Sequence, residues 1–316
     1  MLEPIVDEAL MEVPSHFPIP DFPVDNPFSE PAWKLGKMLF YDTRLSKDQK
    51  VSCASCHLPG NAFSDTVSFS RGFEGLAGTR NAPSLANVAY HPYFTREGGV
   101  PTLEMQVLVP VQEHNEFNFN IIEIAERLSD DGEYNDLALM AYDRELDYYV
   151  IPRALATFER SLISGNSKYD LYLNGKASLN EMEWQGLALF QSEDLSCVVC
   201  HSGFNFTSYE FANNGLYTEY SDPGRFRLTG EEADLAMFKI PSLRNIEVTG
   251  PYMHDGSIKT LEGVIEHYNS GGKTHPHRSP LIRPLGLSQQ EKLALMAFLK
   301  TLTDETFIGN EKFRNE

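Results

Sequence analysis

Two Cys-x-x-Cys-His pentapeptides, Cys53-Ala54-Ser55-Cys56-His57 and Cys197-Val198-Val199-Cys200-His201, constrain this chain more than any other feature. Together they use all four of its cysteines. The pattern is that of c-type haem attachment. Two thiols three positions apart can each add to one haem vinyl group, and the adjacent imidazole reaches the iron as proximal ligand. A Cys pair also suits zinc or thiol redox chemistry, but zinc would need the two pairs gathered in one site. Two complete copies point instead to two covalently bound haem c groups. Cys53, Cys56 and His57 would hold one; Cys197, Cys200 and His201 would hold the other. With every thiol so engaged no disulfide is available, and the cysteine count is silent about redox compartment.

The 316 residues suffice for two domains. No apolar run approaches the roughly 18 residues of a membrane span, so none is expected. A net charge of −19 argues against nucleic acid, whose binding rests largely on phosphate neutralisation. It suits solubility, and it permits steering towards a basic partner face. The start, Met1-Leu2-Glu3-Pro4, lacks the basic n-region of a signal peptide. Haem attachment normally takes place outside the cytoplasm, so the expectation is a periplasmic protein whose signal has been removed.

A weak repeat precedes the two haem motifs. Trp33-Lys34-Leu35-Gly36-Lys37-Met38-Leu39-Phe40 and Trp184-Gln185-Gly186-Leu187-Ala188-Leu189-Phe190 share helical spacing and a Gly-x-x-x-Phe. Asn180 and Glu183 predict a capping box at the start of the second. A further helix is expected over Val150 to Ser164, with Pro152 in its first turn. Gly165-Asn166-Ser167 would end it and divide the chain. The last helix should start at Ser288, with Glu291 three positions on. Gly72–Pro83 and Gly271–Pro284 read as ordered loops. Strand patterns are scarce. The expectation is a mostly α protein of two cytochrome c-like haem domains with long ordered loops, 1–165 and 166–316.

Further landmarks are Thr79-Arg80-Asn81-Ala82-Pro83-Ser84, Leu103-Glu104-x-Gln106, Pro241-Ser242-Leu243-Arg244-Asn245, Pro251-Tyr252-Met253-His254-Asp255-Gly256 and His267-Tyr268-Asn269-x-Gly271-Gly272. With these, the chain from about Pro31 to Thr303 resembles the bacterial di-haem cytochrome c peroxidase family, in particular its MauG-like branch. The resemblance implies an N-terminal haem that meets hydrogen peroxide and a C-terminal six-coordinate haem that stores electrons.

The resemblance carries residue roles with it. His57 would be proximal at the peroxide haem, with Gln106 and Glu116, ten positions apart, on the distal side. Splitting peroxide needs a base to take one proton and return it to the leaving oxygen, which a carboxylate can do. Gln106 could hold the oxygen or a water. His114 is a weaker distal candidate. At the second haem His201 would be proximal and Tyr268 the sixth ligand, where electron-accepting peroxidases have Met. A phenolate favours high-valent iron, whereas Met stabilises the ferrous state. His267, Met253 and His254 compete for that place. A calcium ion would be held by Asn81 and the carbonyls of Thr249 and Pro251, hard oxygen donors that suit it.

One departure concerns the tryptophan that relatives carry between the haems. Ten positions before Gln106 stands Arg96, within Arg96-Glu97-Gly98-Gly99. Arginine cannot relay a hole, so Tyr93 or Phe94 would have to substitute, and Arg96 would pair with a haem propionate or Glu97. The surface tryptophan that often precedes the second haem motif is also missing around Leu195.

Three functions compete. The first is a MauG-like enzyme that uses hydrogen peroxide to form high-valent iron and oxidises a Trp or Tyr of a partner protein. Tyr268 favours it. The second is a cytochrome c peroxidase that detoxifies hydrogen peroxide with electrons from a small cytochrome or cupredoxin. The third is a non-enzymatic electron-transfer cytochrome, which would need neither Gln106 nor Glu116.

Overall fold

The computed structural model describes residues 10–315. The start at Met1-Leu2-Glu3-Pro4 lies outside the described residues. The protein is mostly helical. Helices of the first half are α1 (Glu30–Tyr41), α2 (Leu103–Gln106), α3 (Leu108–Gln112), α4 (Ile121–Leu128), α5 (Gly132–Tyr142) and α6 (Val150–Arg160). Those of the second are α7 (Lys168–Leu173), α8 (Glu181–Gln191), α9 (Cys197–Cys200), α10 (Phe226–Thr229), α11 (Leu261–Ser270), α12 (Gln289–Lys300) and α13 (Glu305–Ile308). Two strands of two residues each, β1 (Phe211–Ala212) and β2 (Phe238–Lys239), pair antiparallel with Phe211 opposite Lys239.

Two compact units result. The first comprises Met1–His91, Val100–Gly165 and Phe307–Glu316; the second, Pro92–Gly99 and Asn166–Thr306. A single cut after Gly165 therefore misses two segments that cross over, Pro92–Gly99 and Phe307–Glu316. Hydrophobic pattern does not reveal them. Phe307 and Phe313 join the first unit because their rings pack on Phe63.

Helix ends follow local chemistry. The Asn180–Glu183 box closes as expected, Asn180 Oδ1 accepting from the Glu183 N–H at 2.9 Å and Glu183 Oε2 from the Asn180 N–H at 2.8 Å. Ser288 and Glu291 do the same for α12. Helix α6 is shorter than the expected run to Ser164. Ser161 caps it, and its hydroxyl turns back to the Phe158 carbonyl at 2.7 Å.

Each unit is built on one crossing of two helices. In the first, a Cβ on Gly36 of α1 would lie 1.9 Å from the Ala154 carbonyl oxygen of α6. In the second, a Cβ on Gly186 of α8 would lie 1.9 Å from the Ala294 carbonyl oxygen of α12. Only glycine permits such approach. The phenylalanine four residues on meets a partner ring at the same separation in both: Phe40 to Phe158, 5.1 Å, and Phe190 to Phe298, 5.1 Å.

A second repeat is tied to that crossing. Pro83-Ser84-Leu85-Ala86-Asn87 and Pro241-Ser242-Leu243-Arg244-Asn245 adopt the same turn, with Asn87 at φ 61° and Asn245 at φ 59°. Asn87 donates its N–H to the Leu162 carbonyl at 2.8 Å and accepts from the Ser164 N–H at 2.8 Å. Asn245 does likewise with Leu302, 3.0 Å, and Asp304, 2.9 Å. Asparagine tolerates the left-handed region and its side chain satisfies the backbone there.

Candidate functional site

The first Cys-x-x-Cys-His is a single tight turn. Cys56 and His57 both donate their N–H to the Cys53 carbonyl, at 3.2 and 3.0 Å, and Ser52 and Ser55 cap the turn reciprocally. This sets the His57 ring beside the thiols. His57 Nδ1 lies 2.8 Å from the carbonyl oxygen of Phe63. Phe63 is fully buried against Phe40, so its carbonyl is a fixed acceptor. The bond assigns the proton to Nδ1 and leaves Nε2 as the ligating nitrogen. The second motif repeats this: His201 Nδ1 lies 3.1 Å from the carbonyl of Phe206, itself buried among Tyr169, Phe190 and Phe298.

Burial keeps both rings neutral. It holds His57 below the usual histidine range and takes His201 down to about 4, against the raising effect of the backbone bonds. Burial also pushes the thiols up, Cys56 and Cys197 to about 11 each. All four thiols are free. No group of three or more His, Cys, Asp or Glu arranged to hold a metal ion occurs among the described residues. The residues fit haem: two free thiols and one neutral imidazole with its Nε2 available, twice over.

In the first unit Gln106 ends the short helix α2, and Glu116 lies in the turn that follows α3. Thr102 caps α2, accepting from the Met105 N–H at 3.3 Å. Glu104 anchors that helix to α6: it takes Arg160 Nη1 at 2.5 Å and Nη2 at 2.9 Å, and Asn26 Nδ2 at 2.7 Å. Two residues on, Gln106 Oε1 is buried with no hydrogen-bond partner. A buried acceptor left so asks for a donor that arrives from elsewhere. Glu116 is held by its backbone, whose carbonyl accepts from the Phe73 N–H at 2.7 Å. Gly72 makes room, since a Cβ there would lie 2.7 Å from Glu116 Cα. Burial, helped by Glu113, pushes the Glu116 carboxyl up to about 7. Its charge is felt at both Cys53 and Cys56, which puts it near the attachment turn. His114 is exposed, its ring 6.3 Å from that of Phe73.

In the second unit Tyr268 sits on α11, whose start Thr260 caps. Burial raises its phenol, a hydrogen bond with the Asn214 side chain opposes this, and the charges of Cys200 and Cys197 add to the rise. Tyr268 therefore lies within range of the charges of the second attachment turn. Its competitors have partners of their own, two of them on the same Asn214. His267 Nε2 lies 3.0 Å from the Asn214 carbonyl, Met253 Sδ accepts from Asn214 Nδ2 at 3.1 Å, and His254 stacks on Phe238 at 4.2 Å.

A family model described as di-haem cytochrome c peroxidase matches residues 30–178. The methylamine utilization protein MauG of Methylorubrum extorquens is 35% identical over 287 residues, 90% of this chain and 81% of that one. The cytochrome c551 peroxidase of Nitrosomonas europaea is 34% identical over 279 residues, 86% of this chain and 80% of that one. The crystal structure of a MauG-like protein associated with microbial copper homeostasis is 37% identical with a TM-score of 0.91, covering 96% of this chain and 98% of that one.

The chain belongs to the di-haem cytochrome c peroxidase and MauG family. It is a di-haem peroxidase-type oxidoreductase, and membership implies two haem c groups. Among the described residues no helix is long and apolar enough to cross a membrane.

Other family landmarks fall as follows. Asn81 belongs to the first unit, where its Nδ2 donates to the Val67 carbonyl at 3.1 Å. Thr249 and Pro251 belong to the second. The Arg96 segment is part of the second unit, where the Arg96 carbonyl accepts from the Lys239 N–H at 2.7 Å. Burial, then the Arg96 charge, takes the Lys239 ammonium down to about 8. Glu97 faces Arg227 at 3.8 Å. Tyr93 stacks on Phe211 at 5.3 Å and donates its hydroxyl to the Tyr209 carbonyl.

Two features were missed by sequence reasoning. Glu159 is 8% exposed, and burial pushes its carboxyl up to about 8 although Arg160 draws it down. Its charge reaches Cys53. Helix α6 is buried on nearly every side, so no polar stripe distinguishes this acid from a solvated one. The other is the Arg244–Asp170 pair, 2.8 and 3.0 Å, with side chains 2% and 1% exposed. Arg244 was visible as a landmark, but its partner was one acid among 45 acidic residues.

Proposed function

We propose that this protein is a periplasmic, MauG-like enzyme that uses hydrogen peroxide to oxidise a tryptophan or tyrosine of a partner protein. Two cytochrome c-like domains, essentially 1–165 and 166–316, would each hold one haem c, through Cys53, Cys56 and His57 and through Cys197, Cys200 and His201. The observation that supports the reading is Tyr268, a buried phenol that feels the charges of Cys197 and Cys200, with Met253 and His267 both bonded to Asn214. An oxygen ligand favours the higher oxidation states of iron, where methionine would favour the ferrous state.

The haem iron, when bound, supplies the redox chemistry with hydrogen peroxide. The chain's own groups manage the protons. Gln106 Oε1 accepts a hydrogen bond from the peroxide O–H. Glu116, with its carboxyl near 7, is poised both to take the peroxide proton and to return it to the departing oxygen. The buried Glu104–Arg160 pair holds α2, and so Gln106, in place. Asn81 and the carbonyls of Thr249 and Pro251 are the proposed calcium ligands, all hard oxygens.

The test is to supply peroxide and the candidate partner protein and follow the partner by mass spectrometry. The reading expects peroxide-dependent modification of a Trp or Tyr, lost in Tyr268→Met. Sustained oxidation of a reduced small cytochrome, with the partner unmodified, would support a peroxide-detoxifying peroxidase instead.

A further inference from the structure

The second unit contains a tyrosine with a dedicated proton acceptor. Tyr217 Oη donates to Asp255 Oδ2 at 2.6 Å. Burial, then this bond, raises the Tyr217 phenol; burial would raise Asp255 too, but the bonds from Tyr217 and Ser257 outweigh it and keep the carboxylate ionised. The Tyr217 ring meets Tyr220 edge-on at 5.5 Å. Tyr220 Oη takes the Leu216 N–H at 2.8 Å and lies 3.2 Å from Asn213 Oδ1. The next residue, Asn214, bonds the Tyr268 phenol, which also feels Tyr220. Tyr217 is half-buried and is followed by exposed Thr218 and Glu219.

A neutral tyrosine is hard to oxidise unless its proton can leave as the electron does. A carboxylate bonded to the phenol provides that exit, and aromatic rings in edge contact provide a path for the electron. We propose that Tyr217, with Asp255 as proton acceptor and Tyr220 behind it, is a redox-active tyrosine that carries oxidising equivalents from the Tyr268 pocket to the protein surface. The inference rests on the proposed peroxide chemistry for its oxidant. Tyr217 would give one electron, through Tyr220, to the peroxide-oxidised haem that Cys197, Cys200 and His201 would hold, reducing it by one electron. The Tyr217 O–H bond breaks, an O–H bond forms on Asp255, and the neutral tyrosyl radical can take a hydrogen atom or an electron and proton from a partner residue.

The test is rapid-freeze electron paramagnetic resonance of the di-haem protein after hydrogen peroxide. A tyrosyl signal is expected, at least roughly tenfold weaker in Tyr217→Phe and unaltered in Trp184→Phe. Asp255→Asn should slow its appearance by roughly 10²-fold, the lower end of what a positioned proton acceptor is worth. Asp255→Glu should restore it, which separates proton transfer from loss of fold. A second arm generates the oxidant by flash photolysis of a ruthenium tris-bipyridine complex with a cobalt(III) pentaammine chloride as sacrificial electron acceptor, without peroxide. Tyrosyl formation there should depend on Tyr217 and Asp255 in the same way. If peroxide leaves the haem spectrum unchanged, the proposed function fails and this arm still decides the relay. A signal that survives Tyr217→Phe, or a photochemical yield indifferent to Asp255, overturns it.

Discussion

The two units share a frame and differ in what they place inside it. Both cross two helices at a glycine, both hang Cys-x-x-Cys-His after the first of those helices, and both hold the motif histidine by a phenylalanine carbonyl. Their contents diverge at matched positions. Glu159, one residue after Phe158, is matched by Leu299 after Phe298. Ala86 is matched by Arg244, which brings a buried ion pair with it. The first unit keeps a buried amide oxygen without a partner, on Gln106, and a raised carboxyl, on Glu116; the second has a buried phenol, Tyr268. A common frame thus carries the attachment motif, and a few residues at matched positions set different surroundings for it.

The largest effect belongs to the acid of the first unit. Glu116→Gln should slow the reaction with peroxide by about 10²–10⁴-fold, read by stopped-flow absorbance, while haem content stays at two per chain. The same rate should fall as pH drops through about 7, because the raised carboxyl becomes protonated and ceases to act as a base. A rate that is flat across that range would assign proton transfer to another group.

Next comes the ion pair peculiar to the second unit. Asp170→Asn strands Arg244 in the core and should cost about 3–5 kcal/mol in denaturant unfolding. Ala86→Ser at the matched position of the first unit breaks no such pair and should fall well below that loss. Equal losses would mean that the pair adds nothing to the second unit.

The tryptophans sharpen the comparison. Trp33 Nε1 donates to Ser161 Oγ at 2.7 Å inside the first unit, whereas Trp184 is 53% exposed. The cause is register. Trp33 lies three residues before Gly36 and Trp184 two before Gly186, and one residue turns a helix by about 100°. Trp33→Phe should cost about 1–3 kcal/mol through the lost hydrogen bond to Ser161 and lost packing. Trp184→Phe should stay within about 0.5 kcal/mol.

The last effect is a slope. The fold raises Glu159 from its ordinary 4.5 to about 8, so the folded state holds this proton more firmly than the unfolded chain. The stability it contributes is full below about 4.5 and is lost as pH rises through about 8. Glu159→Leu, copying the second unit, should flatten the pH dependence of unfolding over that window, with no change expected outside it.

The repeat was legible where it obeyed helical spacing. Gly36 and Phe40, Gly186 and Phe190, and the capping pairs at Asn180 and Ser288 could be read directly, because each rests on contacts within one or two turns. The Pro-Ser-Leu-x-Asn repeat could have been read and was not; its meaning lies in bonds to Leu162 and Leu302, far along the chain. The crossing of Pro92–Gly99 and of Phe307 onward leaves no periodic trace. Glu159 and Asp170 were illegible for a related reason: burial is a tertiary property, and an acidic letter does not record it. The expectations for Tyr268 and Glu116 came only from family register, not from the chemistry of their neighbours in sequence.

The most direct test of two like frames with unlike contents is electron paramagnetic resonance of the resting di-haem protein, taken on the parent and on Tyr268→Phe. One high-spin iron with His57 as its sole protein ligand, and one six-coordinate low-spin iron that alone changes in Tyr268→Phe, is the predicted result. Two low-spin irons in the parent, or a Tyr268→Phe spectrum identical to it, would contradict the account.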